Sequence, residues 1–413
     1  MLPIENILKS SLIFGCLLAA VCLVGCATLS GSGSQYQTDL QNLVTSQWAS
    51  YGSGKANWGG GVGLYIMSPK GKYFAASGLV AGADENIHFR GYSTTKSFTA
   101  VAIMLLQQQG KLNIDDKITA LIPGSTETYV PGDANYNIPN KDQITIRQLL
   151  GHKAGVFDVG NNIIPTTEAV PYAGQRYIDY VKEVVPDPDH TFTFDELVGV
   201  AATCELSDFA PGTRFHYSNT GYWIIGKIVE RVSGQRLYEF VRDALLLPNG
   251  LTATSFPYLG TDQTVPAPFT PGYGWAGGTI LDLTVENVSG FVAEGNIITT
   301  PADLANWCQK WITGRSGLSQ TSVDQMMDCQ PTGEEHRFYG LGCNYTPGLG
   351  YGHNGGHPNY LTVMRHDPSQ EVTVVVFCSA VNIEDLYGEV NFMYDLGFKA
   401  KELLGYPTAE ASP

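Results

Sequence analysis

Charge is scarce in this 413-residue chain: Asp, Glu, Lys and Arg together make up only 15%. The basic sign is the scarcer, with 24 Lys plus Arg against 39 Asp plus Glu and a net charge of −15. No Lys/Arg-rich run occurs. Nucleic acid and anionic lipid surfaces are therefore poor partners. No fixed period recurs, which excludes a solenoid or other repeat architecture. No paired CxxC and no HExxH is present, so the common zinc patterns are missing. Gly59-Gly60-Gly61-Val62-Gly63 completes neither a dinucleotide fingerprint nor a P-loop. The absence of G-x-S-x-G leaves the nucleophile elbow of an α/β-hydrolase without support. What is abundant is ordinary globular material: 43% hydrophobic residues, with Gly 47, Tyr 22 and Pro 22 supplying turns. The length suits one large domain or two interlocked ones with ample core.

The first segment reads as an address. After Lys9, the apolar stretch from Leu12 to Leu23 is shorter than the ~20 residues of a spanning helix. It ends in Leu23-Val24-Gly25-Cys26, which resembles a bacterial lipobox. That resemblance implies a signal peptide over 1–25, lipid on Cys26, and a body held on a membrane outside the cytoplasm. An uncleaved anchor helix is the other reading. Residues 26–40, rich in Ser and Gly at 28–36, are expected to be a flexible tether. Cys204, Cys308, Cys329, Cys343 and Cys378 lie beyond it. Export permits disulfides, but an odd number leaves at least one thiol unpaired.

Along the body, residues 61–67 and 71–79 alternate apolar side chains around Ser68-Pro69-Lys70, a hairpin pattern. Helical spacing is expected over 93–109, 145–151, 194–205, 219–233, 236–246, 301–313 and 321–328. Residues 360–366 and 371–378 alternate again around Asp367-Pro368-Ser369-Gln370, and a helix at about 383–404 follows. Strands at both ends and helices between predict an α+β sandwich, an antiparallel sheet flanked by helices. A helical lobe at about 110–290 is inserted within a domain spanning 41–405, before a short 406–413 tail. The cleft between lobes is the expected site.

Three short segments could carry chemistry. In Ser93-Thr94-Thr95-Lys96, residues three apart share a helix face, so the Lys96 amine can reach the Ser93 hydroxyl. A serine becomes a nucleophile when a base takes its proton, and burial can lower a lysine pKa enough to serve. Ser93 as a helix cap is the structural alternative. In Tyr217-Ser218-Asn219 the phenol can relay protons and the amide can hold a carbonyl, or the triplet can be a capped turn. In His353-Asn354-Gly355-Gly356 a glycine-rich backbone, expected just before a late edge strand, can approach a ligand closely and donate an N–H. His353 and His357 lie four apart, but Asn-Gly-Gly between them breaks any helix that would pair them on a metal.

In this order, SxxK, YxN and HxG resemble the penicillin-recognising serine hydrolases: class C β-lactamases, DD-peptidases and related esterases. GKLNIDDKI (110–118), ITIRQLLGHKAGV (144–156), FAPGTRFHYSNTGYWIIGKIVE (209–230) and GNIITTPADLANW (295–307) are similar to that family in the same sequence. The resemblance spans roughly 40–405 and implies the β-lactamase/transpeptidase-like fold. It implies that Ser93 forms an acyl-enzyme, that Lys96 and Tyr217 share acid–base work, and that Asn219 binds the acyl-side amide. It also implies an oxyanion hole from the Ser93 and Gly356 N–H groups, support from His353, and substrate contacts at Asn354 and Gly355. Neither cofactor nor metal is implied. The expected partner is a small-molecule or peptide substrate bearing an amide, ester or lactam, and a monomer is expected. The activity implied is D-alanyl-D-alanine carboxypeptidase-like or D-amino-acid peptidase-like. An esterase, a class C-type β-lactamase or a non-catalytic wall-binding module are the alternatives. The chain departs from the pattern at His353 for a frequent Lys, Asn354 for Thr or Ser, Asn359 for a frequent Gly, and Cys343-Asn344 where some carboxypeptidases carry Arg. Fewer cations mean weaker reading of a substrate carboxylate, with Arg365 or Arg214 as possible substitutes.

Overall fold

The computed structural model describes residues 33–52, 59–334 and 337–408. The expected signal peptide and Cys26, within residues 1–32, and the last five residues lie outside the described residues. Eight strands make one antiparallel sheet: β1 (Val62–Ser68), β2 (Gly71–Ser77), β3 (Gln330–Pro331), β4 (Phe338–Tyr339), β5 (Asn344–Thr346), β6 (Gly350–His357), β7 (Tyr360–Asp367) and β8 (Val372–Cys378). Their order is β2-β1-β8-β7-β6-β5-β4-β3, so β1 and β8 join the two ends of the chain. The helices used below are α1 (Gly33–Tyr51), α2 (Thr95–Gln108), α3 (Ile146–Leu150), α4 (Phe194–Thr203), α5 (Asn219–Ser233), α6 (Pro301–Ile312) and α7 (Leu386–Leu403). The molecule is therefore mixed α and β, with an antiparallel sheet and a largely helical middle, as the patterning predicts.

Both faces of the sheet are covered, which is why its central strands read as continuous apolar runs. The two-residue period decides which core each side chain joins. Leu64, Ile66, Val374 and Val376 pack with α1 and α7, against Leu40, Val44, Met393 and Leu396. Tyr65, Met67, Val375 and Phe377 point the other way, toward α2 and α6. Every residue of α2 from Thr95 to Leu106 is buried, as suits a helix apolar on nearly all sides. Phe98 stacks on Trp307 at 4.1 Å, and Trp307 Nε1 donates to Ser97 Oγ at 2.9 Å.

Two expectations need correction. The tether does not extend to residue 40: α1 begins at Gly33 and buries Tyr36, Leu40 and Val44, spaced one turn apart. Its Gln37 and Gln41 amides donate to the carbonyls of Phe74 and Ala76, covering the exposed edge of β2. The glycine-rich His353–Gly356 segment, expected to lead into a late edge strand, is part of a strand of its own, β6. The ladder to β7 holds it, whatever the weak strand propensity of glycine. All five body cysteines are free thiols, four of them buried.

Candidate active site

Tyr92–Thr94 form one 3-10 turn leading into α2. Tyr92 has φ +44°, a left-handed conformation costly for a bulky residue, immediately before Ser93. One turn later Lys96 returns toward it: Nζ donates to Ser93 Oγ at 3.1 Å. The same Nζ donates to Asn219 Oδ1 at 2.7 Å, to the Glu294 carbonyl at 2.9 Å and to Glu294 Oε2 at 2.8 Å. Lys96 is fully buried, with the Tyr217 ring 4.8 Å from its nitrogen. Burial lowers its pKa from the usual lysine value, and the Glu294 carboxylate opposes that fall.

Asn219 opens α5, which Ser218 caps by accepting from the Gly221 N–H at 3.4 Å. The capping alternative and the site placement are thus both true of this triplet. The Asn219 N–H donates to Asp158 Oδ1 at 3.1 Å. Burial raises Asp158 to about 6, against its hydrogen bond from Asn161. The Tyr217 phenol lies partly buried against Ser93; desolvation pushes its pKa well up, and the Ser93 hydrogen bond pulls it back.

His353 lies on β6 facing this cluster, but both its nitrogens are engaged elsewhere. Ser218 N–H donates to His152 Nδ1 at 3.1 Å, so the His152 proton resides on Nε2. That nitrogen meets the Tyr339 hydroxyl at 3.2 Å, and the hydroxyl meets His353 Nε2 at 2.9 Å. His353 Nδ1–H then donates to the Asn354 carbonyl at 2.5 Å. Burial and the Lys96 charge bring His353 down to about 3, and His152 well below its ordinary value. Both imidazoles are therefore neutral at physiological pH, so His353 brings no cation to the cluster.

The strand pleat divides the third triplet. Asn354 projects to the opposite face, where Arg365 donates to its Oδ1 at 2.8 Å and its Nδ2 donates to the Tyr394 hydroxyl at 2.8 Å. Arg365 is fully engaged there, with Thr346, the Met364 carbonyl and Tyr394 as further partners. Arg214 lies over Phe209 and donates to the Asp208 carbonyl, on an exposed loop. Gly355 faces Ser93: a Cβ there would stand 1.9 Å from the Gly91 carbonyl oxygen and 3.2 Å from Ser93 N. Gly356 pairs with Leu361, next to the hairpin-closing pair His357 and Tyr360. Only two residues separate that closing pair, so it must be the hydrogen-bonded kind. Gly356, one position earlier, therefore turns its N–H away from β7, to the free edge beside Ser93.

Ser93, Lys96, Tyr217, Asn219, Gly355 and Gly356 thus converge. His353 adjoins them through Tyr339, and the Asn354 side chain does not join them. Local patterns gave Glu294, Tyr339, His152 and Asp158 no role, because each reaches the site only through long-range folding. Tyr172 packs edge-on against both Tyr177 and Tyr180, and Tyr177 donates to Glu196 at 3.0 Å. Among the described residues no group of three His, Cys, Asp or Glu is arranged to hold a metal.

A profile of the family described as Beta-lactamase matches residues 52–388. The chain is 25% identical over 299 residues to the putative penicillin-binding protein PbpX of Bacillus subtilis (strain 168), covering 72% of this chain and 63% of that one. It is 27% identical over 215 residues to Protein flp of Staphylococcus aureus (strain N315), covering 52% of this chain and 36% of that one. The chain therefore spans less than two thirds of the length of either curated relative. Among solved structures, a D-stereospecific amidohydrolase from Streptomyces sp. superposes with TM-score 0.70 at 23% identity, covering 88% of this chain and 98% of that one. A D-amino acid amidase from Ochrobactrum anthropi SV3, complexed with L-phenylalanine amide, gives 0.69 at 22% identity, covering 89% and 98%.

Proposed function

The chain belongs to the Beta-lactamase family, and from that premise we propose that this serine hydrolase cleaves amides of amino acids or short peptides through an acyl-Ser93 intermediate. Ser93 Oγ attacks the carbonyl carbon as its proton passes to the Lys96–Tyr217 pair. These two groups share one hydrogen-bonded cluster and titrate as a unit. The carbonyl oxygen gains charge and is held by the Ser93 and Gly356 N–H groups; one such donor is typically worth about 10²–10³ in rate. The C–N bond breaks, and the pair returns the proton to the leaving amine. Water then attacks the ester, gives its proton to the same pair, and releases the acid with Ser93 restored. Asn219 Oδ1 is taken by Lys96, which leaves its Nδ2 to bind the acyl-side carbonyl.

The observation that carries the choice of substrate is the neutral His152–Tyr339–His353 chain beside Ser93. With Lys96 paired to Glu294 and Arg365 committed to the far face, the site offers a substrate carboxylate no free partner among these groups. A neutral amide or ester end suits it better. The D-amino acid amidase and D-stereospecific amidohydrolase among the structural neighbours support the same class and suggest a D-configured acyl group. The Bacillus relative is named a putative penicillin-binding protein, which favours a second reading in which the site takes up penicillin-like substrates.

The test compares D-phenylalanine amide, its L-enantiomer, D-alanyl-D-alanine and benzylpenicillin as substrates. Each charge-assisted hydrogen bond to a carboxylate contributes ~1.5–3 kcal/mol. The expected kcat/KM for the D-amide therefore exceeds that for the free dipeptide by about tenfold or more. Preferred turnover of the dipeptide would favour the carboxypeptidase reading. Rapid consumption of penicillin would favour a β-lactamase.

A further inference from the structure

One largely buried carboxylate touches the neighbours of both oxyanion donors without belonging to the hole. The Glu286 side chain is 11% exposed. Its Oε2 accepts from the Tyr92 hydroxyl at 2.7 Å, and Tyr92 directly precedes Ser93. Its Oε1 lies 3.2 Å from His357 Nδ1, and His357 directly follows Gly356. Asn359 Nδ2, in the two-residue turn between β6 and β7, donates to the same carboxylate at 3.3 Å and to the Leu283 carbonyl at 2.7 Å. The Tyr92 hydroxyl also abuts Asn359 Oδ1. The His357 ring packs on Tyr92 at 5.1 Å and on Phe291 at 4.9 Å. Even the Glu286 backbone takes part, since its carbonyl accepts from Arg90 at 3.3 Å, two residues ahead of Tyr92.

We infer that Glu286 is a positioning residue that sets the gap between the two oxyanion donors, the N–H groups of Ser93 and Gly356. The inference rests on the acyl-Ser93 reading above. These donors come from segments far apart in the chain, a 3-10 turn and an edge strand. β5 pairs with β6 only as far as Gly352, so no ladder partner on that side fixes the strand beside Ser93. Something else must hold the spacing, because an oxyanion donor works only within about 2.7–3.1 Å of the developing charge. The Glu286 carboxylate binds the neighbour of each donor, and the Tyr92 hydrogen bond also braces the left-handed residue that aims the Ser93 N–H. Burial opposes its charge, yet the His357 charge and the bonds from His357 and Tyr92 keep its pKa at about 2, so it stays ionised as a fixed anchor.

The experiment compares wild type with Glu286→Gln and Tyr92→Phe. It measures kcat and KM for the amide, and the affinity and stoichiometry of phenylboronic acid, whose tetrahedral adduct on Ser93 places an oxygen in the hole. Glu286→Gln retains the size of the side chain but loses its charge on His357. Tyr92→Phe removes one hydroxyl and leaves the fold's packing in place. The expected result is a fall in kcat of at least tenfold for Glu286→Gln and a smaller fall for Tyr92→Phe. KM should stay within about threefold, and boronate affinity should fall in parallel with kcat/KM. A merely structural role would lower the fraction of boronate-binding sites while leaving kcat per competent site unchanged. That outcome in both variants, with wild type active, would overturn the inference alone. Wild type that neither hydrolyses the amide nor binds the boronate would overturn the acyl-Ser93 reading, and this inference with it.

Discussion

Lys96 is pulled in two directions. Burial favours its neutral form, the one able to take the Ser93 proton, while Glu294 at 2.8 Å favours the charged form. Activity carried by a neutral lysine rises as pH climbs through the apparent pKa of the pair. Glu294→Gln removes the influence that raises that pKa, so the acidic limb of the kcat/KM profile should move to lower pH. A pH–rate series on both forms checks this; a limb that stays put or moves upward would count against Lys96 as part of the base. At this scale the sequence was most readable where partners are close in the chain. Ser93 and Lys96 are three apart, and a single helical turn brings them together. Glu294 is 198 positions from Lys96, and no local pattern announces it. Asn354 shows the opposite error, in which a neighbour in sequence is treated as a neighbour in space. Along a strand, adjacent side chains point to opposite faces, so His353 and Gly355 face Ser93 while Asn354 meets Arg365 and Tyr394.

The element that most constrains the site is β6, pressed edge-on against the turn that carries Ser93. At Gly355 an added methyl would meet Gly91 backbone at 1.9 Å, and backbone cannot swing aside as a side-chain end can. Gly355→Ala should therefore push the strand off the turn and lower kcat by about a hundredfold or more, the scale of losing an oxyanion donor. At Gly356 the nearest atom to a new Cβ is Leu361 Cδ2 at 2.9 Å, the flexible end of a side chain. Gly356→Ala keeps its N–H and should retain activity within about tenfold of wild type. Kinetics on the two purified variants test the pair, and equal losses would contradict this placement of the strand. Elements with a strong apolar period were legible: the patterning marks α5 at 219–233, where the helix lies, and β7 and β8 within a residue or two. The weakly patterned ones were not. α1 buries three residues in a Ser- and Gln-rich stretch, and β6 owes its strand conformation to its ladder partner.

On the scale of the molecule, the site exists only when distant parts of the chain meet. The turn at 92–94 and α2 supply Ser93 and Lys96, α5 and the loop before it supply Asn219 and Tyr217, and the sheet supplies Gly355 and Gly356. That the chain's two ends share one sheet, with helices between, was legible from where the alternating segments fall; β1 pairs with β8 in register from Val62 to Met67. The way in which the buried charges balance was not, because it depends on burial that no linear pattern records. The central claim is that Ser93 carries the acyl group. Quenched-flow intact-mass spectrometry of the protein mixed with D-phenylalanine methyl ester tests it directly. The expected result is a transient gain of one D-phenylalanyl group, mapping to the peptide that contains Ser93 and absent from Ser93→Ala. An acyl group on another residue, or turnover that survives in Ser93→Ala, would contradict it.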